Sequence, residues 1–296
     1  MTNETIQELA REGGPQKIKT GARVDGLDLS GLDISNWTAR NVKFTNCRFA
    51  GTKAVGASLV GAQFSFCEIG GADFDGVDLT NAQFLNSRME GSWMREAELQ
   101  NTAFFSSSLD AVCMTGSNAP FVSFHNCVAE GVEMSGVNAI GGEFFNFRMA
   151  SSRSTAVGIV LADASIRHSQ FDKADMTFAN FEGAKIRFSS LTAADLSRST
   201  WGATSASFSD FADTTFLKSA ITDSIFHACG FRRATLRDVI ARRTDFGSST
   251  FDASNVDRAM FDACQFEKVK RDNTVGVEDY RPLPLLNPLR ISENLG

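Results

Sequence analysis

The side chains that could do chemistry in this 296-residue sequence are six cysteines, three histidines and many serines and aspartates. The cysteines and histidines are widely spaced, and no grouping of Cys, His, Asp or Glu has the spacing of a metal site. The serines and aspartates recur regularly along the chain, so none stands out as a nucleophile beside its base. The glycines are scattered rather than gathered in a phosphate-binding loop. We therefore predict no enzyme, no catalytic residue, no metal and no cofactor.

Acidic residues are concentrated in one stretch of the sequence. Between Ala54 and Phe147 there are eleven acids and two bases, Arg88 and Arg95, which gives a local net charge of −9. Such a density of carboxylates favours a basic protein partner and disfavours nucleic acids and anionic membranes. The acids are Glu68, Asp73, Asp75, Asp78, Glu90, Glu96, Glu98, Asp110, Glu130, Glu133 and Glu143.

The composition indicates a cytoplasmic protein. The first residues, MTNETIQELAREGG, have neither the basic start nor the apolar run of a secretory signal, and we expect the cysteines to be reduced thiols. No stretch approaches the roughly 18 consecutive apolar residues of a membrane span. We therefore expect a cytoplasmic location, with no membrane and no direct nucleic-acid partner. Delivery by a specialised secretion system stays open.

A five-residue period of bulky apolar residues organises the chain. We call each bulky position a centre, and a small residue precedes most centres by two positions, as Ala72 precedes Phe74. Centres follow one register from Leu29 to Ile159 and a second register from Leu161 to Phe266. A two-residue slip near Ile159 joins the two registers. Neither a helix nor a strand has a period of five.

An odd period requires the chain to turn in every repeat. Side chains alternate along a strand, so an unbroken strand would send successive centres to opposite sides and could not build one core. A short extended piece can instead point the centre and the small residue inward, while the other three residues form a corner in water. This interpretation predicts a buried core that includes Phe74, Leu79, Phe84, Phe171, Met176, Phe181, Ile186, Leu191 and Leu196.

Two stretches resemble the A(D/N)LXX motif of pentapeptide-repeat proteins, namely ADFDGVDLTNAQFLN at 72–86 and ADMTFANFEGAKIRFSSLTAADLSR at 174–198. The resemblance covers about residues 25–266. It implies an all-β fold, a right-handed quadrilateral β-helix with four repeats and 20 residues in each rung. About 12 rungs would then form a rod on the order of 55 to 60 Å long at the spacing of paired strands.

The implied rung stacks acids that are 20 residues apart. Positions 90, 110 and 130 would form one column and positions 78 and 98 another. Like charges at about 5 Å repel by up to about 1 kcal/mol in water, so folding gains nothing from such columns. The predicted interaction surface consists of Asp78, Glu90, Glu98, Asp110, Glu130 and Glu133.

Beyond the slip the same spacing pairs opposite charges. Asp213 would lie beside Arg233, and Asp223 beside Arg243. We therefore expect this half to be an electrically balanced, solvated scaffold.

The function that these patterns favour is a non-enzymatic solenoid scaffold that binds a protein partner through its charged outer faces. Several pentapeptide-repeat proteins resemble duplex DNA in width and charge and bind DNA gyrase or topoisomerase IV, which confers quinolone resistance or toxin self-immunity. A DNA mimic of this kind is the first alternative. Other members are secreted effectors or accompany secretion machinery, so an effector or adaptor is the second. The resemblance also leaves a homodimer open.

The ends of such a rod need covers, because terminal rungs expose apolar centres and unpaired backbone groups. We predict a capping helix and linker over 1–20, a first β-helix segment over 21–160, a second segment in shifted register over 161–266, and a proline-containing tail over 267–296. The tail either folds back over the last rung or docks on a partner. We expect the ladder to be distorted at Pro120, and leave open whether the slip kinks the rod.

Overall fold

The computed structural model of the chain describes residues 2–276. It contains one helix, α1 (Asn3–Glu12), and fifteen three-residue strands that pair in parallel. Within the described residues, no helix has the length and apolar character needed to cross a lipid bilayer. The strands are β1 (Arg23–Asp25), β2 (Lys43–Thr45), β3 (Gln63–Ser65), β4 (Gln83–Leu85), β5 (Ala103–Phe105), β6 (Ser123–His125), β7 (Glu143–Phe145), β8 (Ser165–Arg167), β9 (Lys185–Arg187), β10 (Thr200–Gly202), β11 (Ser205–Ser207), β12 (Ala220–Thr222), β13 (Ile225–His227), β14 (Ile240–Arg242) and β15 (Met260–Asp262).

The chain winds into a four-sided parallel β-helix of about 12 turns. One turn, or rung, takes 20 residues, since Phe44 pairs with Phe64. We name the sides by the centres of one rung, so that face A holds Phe44, face B Phe49, face C Ala54 and face D Leu59. The larger sheet, in the order β1 to β9, β11 and β13, lies on face A, and the sheet β10-β12-β14-β15 lies on face D. Single-residue bridges join the rungs on faces B and C.

Each repeat buries two side chains and then turns on the next two residues. In the repeat around Leu79, both Val77 and Leu79 are fully buried, while Asp78 between them points outward. Thr80 and Asn81 make the turn, and Asn81 has a φ of 60°, in the left-handed region that glycine and asparagine adopt at least cost. The odd period is therefore satisfied by one left-handed residue in every repeat.

Stacked rings fill the interior. Six phenylalanines occupy successive centres of face A, and the centroids of neighbouring rings lie between 4.8 and 5.3 Å apart. This spacing is close to that of the rungs, so each ring packs nearly parallel on the next. Burial of each ring contributes about 1.5 to 3 kcal/mol. The six are Phe44, Phe64, Phe84, Phe104, Phe124 and Phe144.

The predicted core residues all lie inside this stack of rungs. Each of the nine has 1% or less of its surface exposed: Phe74, Leu79, Phe84, Phe171, Met176, Phe181, Ile186, Leu191 and Leu196. Small polar residues between them donate to carbonyls of the preceding rung, as Ser92 Oγ does to Ile69 and Thr102 Oγ1 to Leu79, both at 2.9 Å. Serine and threonine can therefore replace alanine in the interior without leaving a polar group unsatisfied.

The two-residue insertion lies earlier than the sequence pattern indicates. Glu133 pairs with Thr155, which is 22 residues away, whereas preceding bridges on the same face span 20. The extra residues are in the turn 150–153, so the two segments of the β-helix meet there rather than at residue 160. Ile159 is buried two positions before the centre Leu161. This bulky residue in a small position imitated a centre and carried the first register too far.

The distortion predicted at Pro120 was wrong. Pro120 occupies the first turn position after the centre Ala119, and its carbonyl accepts the N–H of Asn101 at 3.0 Å. At the same position of the neighbouring rungs, the N–H groups of Gln100 and Ile140 donate to no backbone carbonyl. A proline there removes no ladder bond, and its fixed φ suits the turn.

Helix α1 covers the first rung. Thr2 caps the helix, because its side-chain oxygen accepts the N–H of Thr5 at 3.3 Å. Ile6 is buried, and the side-chain amide of Gln7 donates to the carbonyl of Asp28 at 2.8 Å. The helix therefore shields apolar centres that the first rung would otherwise expose.

At the other end the ladder continues beyond Phe266, where the apolar period stops. Val275 pairs with Asn255, so the β-helix runs nine residues past the predicted boundary. The backbone can keep pairing with the preceding rung after the centres cease to be apolar. Most of the proline-containing tail, at 277–296, lies outside the described residues, and so does the prediction that it covers the last rung or docks on a partner.

One substitution at two positions three residues apart tests the inward register. Phe181→Asp places an unpaired carboxylate in the interior, which should cost several kcal/mol and unfold much of the protein. Phe178 is 53% exposed and its ring lies 5.3 Å from the guanidinium of Arg198, so Phe178→Asp should change stability by only about 0.5 kcal/mol. Chemical unfolding followed by circular dichroism measures both. Equal destabilisation by the two variants would contradict the register.

Candidate protein-binding faces

Face B carries one row of the predicted interaction surface, with Glu90, Asp110 and Glu130 on successive rungs. Asp110 Oδ1 accepts the backbone N–H of Glu130 at 2.8 Å, and Glu130 Oε1 lies 3.0 Å from Arg148 Nε. In the described residues no cation contacts the carboxylate of Glu90 or Asp110. The row therefore presents two free negative charges beside one that is neutralised.

The other predicted acids lie on faces C and D. Asp78 and Glu98 are bridge partners on face D, which is opposite face B. Glu98 Oε2 accepts a hydrogen bond from Asn118 Nδ2 at 2.8 Å. Glu133 lies on face C, where its Oε2 is 3.3 Å from Cys113 Sγ. The structure therefore distributes the six predicted residues over three sides and does not bring them into one site.

Arginines neutralise part of the acidic stretch, which the charge count along the sequence missed. Glu68 lies between Arg48 and Arg88, at 3.4 and 3.3 Å. Glu143 lies 2.5 Å from Arg167. Arg48 and Arg167 fall outside the counted stretch, but the rungs bring them beside its acids. We call the remaining seven, which contact no cation within residues 2–276, the free acids: Asp73, Asp78, Glu90, Glu96, Glu98, Asp110 and Glu133.

The buried cysteines have environments that disfavour the thiolate, which is the reactive form. Burial raises the pKa of Cys127 to about 11 and that of Cys229 to about 12. The hydrogen bond with Cys47, together with burial, raises the pKa of Cys67. Over the described rungs, no three of the His, Cys, Asp and Glu side chains gather closely enough to hold a metal ion. This part of the chain therefore offers charged surfaces rather than a catalytic group.

A family model of pentapeptide repeats matches the sequence in eight copies, at residues 43–81 and 159–198. The chain is a pentapeptide-repeat protein. The matched stretches lie on both sides of the insertion at 150–153, and the five-residue turn continues between them in the fold. No curated protein matches the sequence.

Solved pentapeptide-repeat structures resemble the chain at low identity. HetL, which is involved in heterocyst differentiation regulation in the cyanobacterium Nostoc sp. strain PCC 7120, is 14% identical over 91% of this chain and 94% of its own, with a TM-score of 0.30. QnrB1, a plasmid-mediated fluoroquinolone resistance protein, is 16% identical over 75% of this chain and 91% of its own, with a TM-score of 0.39. Likenesses at this level carry no argument about function.

The pentapeptide-repeat rod also carries a surface row of rings that sequence reasoning missed. All three histidines alternate with phenylalanines on successive rungs, and neighbouring ring centroids lie between 5.2 and 6.1 Å apart. The insertion and a shift between two turn positions break the 20-residue spacing, so the sequence numbers do not reveal the row. We call it the aromatic row: Phe105, His125, Phe145, His168, Phe188, Phe208 and His227.

In the second half of the pentapeptide-repeat rod, the 20-residue rung pairs opposite charges. Arg243 Nε donates to Asp223 Oδ1 at 2.6 Å, and Arg243 Nη2 donates to Asp223 Oδ2 at 2.7 Å. These hydrogen bonds hold the pKa of Asp223 below its usual range. The same arrangement joins Asp213 to Arg233 and Asp238 to Arg258. The carboxylates in these pairs are therefore not available to a partner in the way that the free acids are.

Arg243→Gln should remove a pH-dependent contribution to stability. Because the pKa of Asp223 is lower in the folded protein, the pair stabilises above the unfolded pKa of about 3.9, and this stabilisation is lost as the pH falls through the folded pKa. Urea unfolding at several pH values should show a small deficit near neutral pH that disappears in acid. The control Arg242→Gln removes an exposed arginine that contacts no described carboxylate, and it should show no such pH dependence. A deficit that is independent of pH would contradict the assignment.

Proposed function

We propose that this pentapeptide-repeat protein is a non-enzymatic scaffold that binds a basic protein partner through the free acids of its first half. The observation that carries the proposal is the presence of seven carboxylates within three rungs without a contacting cation in the described chain. Neighbouring like charges at about 5 Å cost up to about 1 kcal/mol each in water. The second half shows that the same rungs can place arginines beside aspartates, so the fold itself does not require free acids.

The arrangement of the free acids supports binding by surface electrostatics. They lie on faces B, C and D, on side chains that the backbone ladder holds at fixed spacing. A rigid array of one sign attracts a partner of opposite sign over about one Debye length, roughly 8 to 10 Å in physiological salt. Complex formation should therefore be fast and should weaken as salt is added.

Mimicry of DNA is the narrower form of this proposal, and the charge density favours it. The free acids span Asp73 to Glu133, which is three rungs or about 14 Å of rod. This gives one charge per roughly 2 Å, compared with one per about 1.7 Å of duplex DNA. A protein that grips duplex DNA, such as DNA gyrase or topoisomerase IV, is therefore a specific candidate partner. The alternative of a secreted effector or adaptor stays a prediction from the resemblance, as does the cytoplasmic location.

Charge reversal tests the scaffold. Glu90→Lys combined with Asp110→Lys should abolish a complex captured from the source cell on the purified protein, and added salt should dissociate the wild-type complex. The control is Asp175→Lys with Asp195→Lys, which reverses two stacked acids on face C of the second half. Circular dichroism verifies that both variants fold. A complex that survives the first pair, or that the control pair abolishes equally, would contradict the proposal.

Gyrase supercoiling tests the narrower form. If the free acids imitate DNA phosphates, purified protein at micromolar concentration should inhibit supercoiling or relieve its poisoning by a quinolone. The Glu90→Lys, Asp110→Lys variant should lose this effect, and the Asp175→Lys, Asp195→Lys variant should keep it. No effect of the wild-type protein on gyrase or topoisomerase IV would remove the DNA mimic and leave the scaffold to the capture experiment.

A further inference from the structure

The aromatic row is exposed at positions where the fold does not need rings. Phe188 and Phe208 are 54% and 56% exposed, and both have a φ of 52°. A bulky residue in the left-handed region is unfavourable, and a ring in water gains no burial. Other rungs place Asn126, Asn146 and Ala228 at the same corner, with the same left-handed backbone. Since neither packing nor the turn explains the rings, they point to a contact outside the chain.

Stacking within the row limits what that contact can be. His168 lies nearly parallel to Phe188, and Phe188 to Phe208, with interplanar angles of 8° and 10° and centroids 5.3 Å apart in both pairs. Each ring therefore covers the face of the next and presents its edge outward. Nucleobases bind to open ring faces, as planar and sugar rings generally do, so the row suits neither. Neighbouring rungs already satisfy the backbone of face A, so a peptide cannot add there as a strand.

We infer that the row is covered by a second copy of the chain, packed antiparallel with face A against face A. A two-fold axis between the rungs of Phe145 and His168 passes through the middle of the row once Leu85, on the rung before Phe105, is included. This axis places every histidine opposite a phenylalanine or leucine, and no histidine opposite another. The opposed pairs are Phe145 with His168, His125 with Phe188, Phe105 with Phe208, and Leu85 with His227. The surface is therefore complementary to itself, as a two-fold interface requires.

The charges beside the row are compatible with this packing. The same axis places Lys185 opposite Ser123 of the second copy, where the ammonium meets a hydroxyl. Arg187 comes opposite His125, and its planar guanidinium can stack on the imidazole. The free acids lie on faces B, C and D, so the dimer would bring none of them together and would leave them open to another partner.

The size of the surface sets the strength of the dimer. The row with Leu85 extends over eight rungs, about 34 Å, on a face roughly 15 Å wide. Each copy would bury about 500 Å², and the pair about 1,000 Å², near the lower limit for a specific interface. We therefore expect a dimer that dissociates on dilution.

Sedimentation equilibrium over a range of concentrations tests the dimer. The wild-type protein should shift from monomer to dimer as concentration rises, and Phe188→Asn combined with Phe208→Asn should stay monomeric. Asparagine occupies this corner on other rungs, so the variant should fold, which circular dichroism verifies. The control Phe178→Asn changes a phenylalanine of equal exposure and backbone conformation on another corner and should dimerise normally. A wild-type protein that is monomeric throughout, or a double variant that dimerises as well as the wild type, would overturn the inference.

Cross-linking tests the antiparallel axis. Ser165 and Ser205 occupy the same outward column of face A. The two copies of Ser165 would lie about one rung apart along the rods, and the two copies of Ser205 about five rungs, roughly 24 Å. A short bis-maleimide should join Ser165→Cys into a covalent dimer and leave Ser205→Cys at the background set by the native cysteines. Equal cross-linking of both, or none at Ser165→Cys, would rule out this packing. Both experiments use the protein alone, so their failure leaves the proposal for the free acids untouched.

Discussion

The backbone enters the left-handed region once in every five residues, and this turn determines what faces the interior and what faces water. In the first half the turn residue is mostly glycine or asparagine, which tolerate the conformation. In the second half it is often a charged residue, such as Arg198, Lys218 or Asp238. Hydrogen bonds to the next rung hold these costlier turns, as between the N–H of Lys218 and the carbonyl of Arg237 at 3.1 Å. Strain in each turn is thus offset by the ladder and by the two side chains that the turn buries.

The same geometry gives the two halves different surfaces. Long side chains on left-handed turns reach the turn of the next rung, so that Arg233 and Arg243 meet the aspartates one rung away. Glycine and asparagine in the first half are too short to do this, and acids such as Glu90 at the neighbouring position keep their charge. A balanced half and a charged half therefore follow from the choice of turn residue, without any change in the core.

The sequence pattern predicted the core well because burial depends on the repeat alone. Phe74, Leu79 and Phe84 lie inside as the period requires. It misplaced the insertion because Ile159, a bulky residue in a small position, is compatible with both registers. It also missed contacts between rungs: Arg148 lies outside the acidic stretch in sequence but beside Glu130 in space. The aromatic row was missed for the same reason, since its members shift by one position along the turn and cross the insertion. Properties of one repeat were thus predictable, and properties that depend on counting rungs were less so.

The four equal sides have a consequence for how such a chain can change over generations. Duplication or loss of a whole rung would lengthen or shorten the rod while every column kept its side. Duplication or loss of a single repeat would preserve the core equally well, but it would rotate everything downstream by a quarter turn. Patches that now lie in line would then look in perpendicular directions. A slip in copying a short stretch of gene could therefore reorient an entire binding surface, a change that no point substitution can achieve.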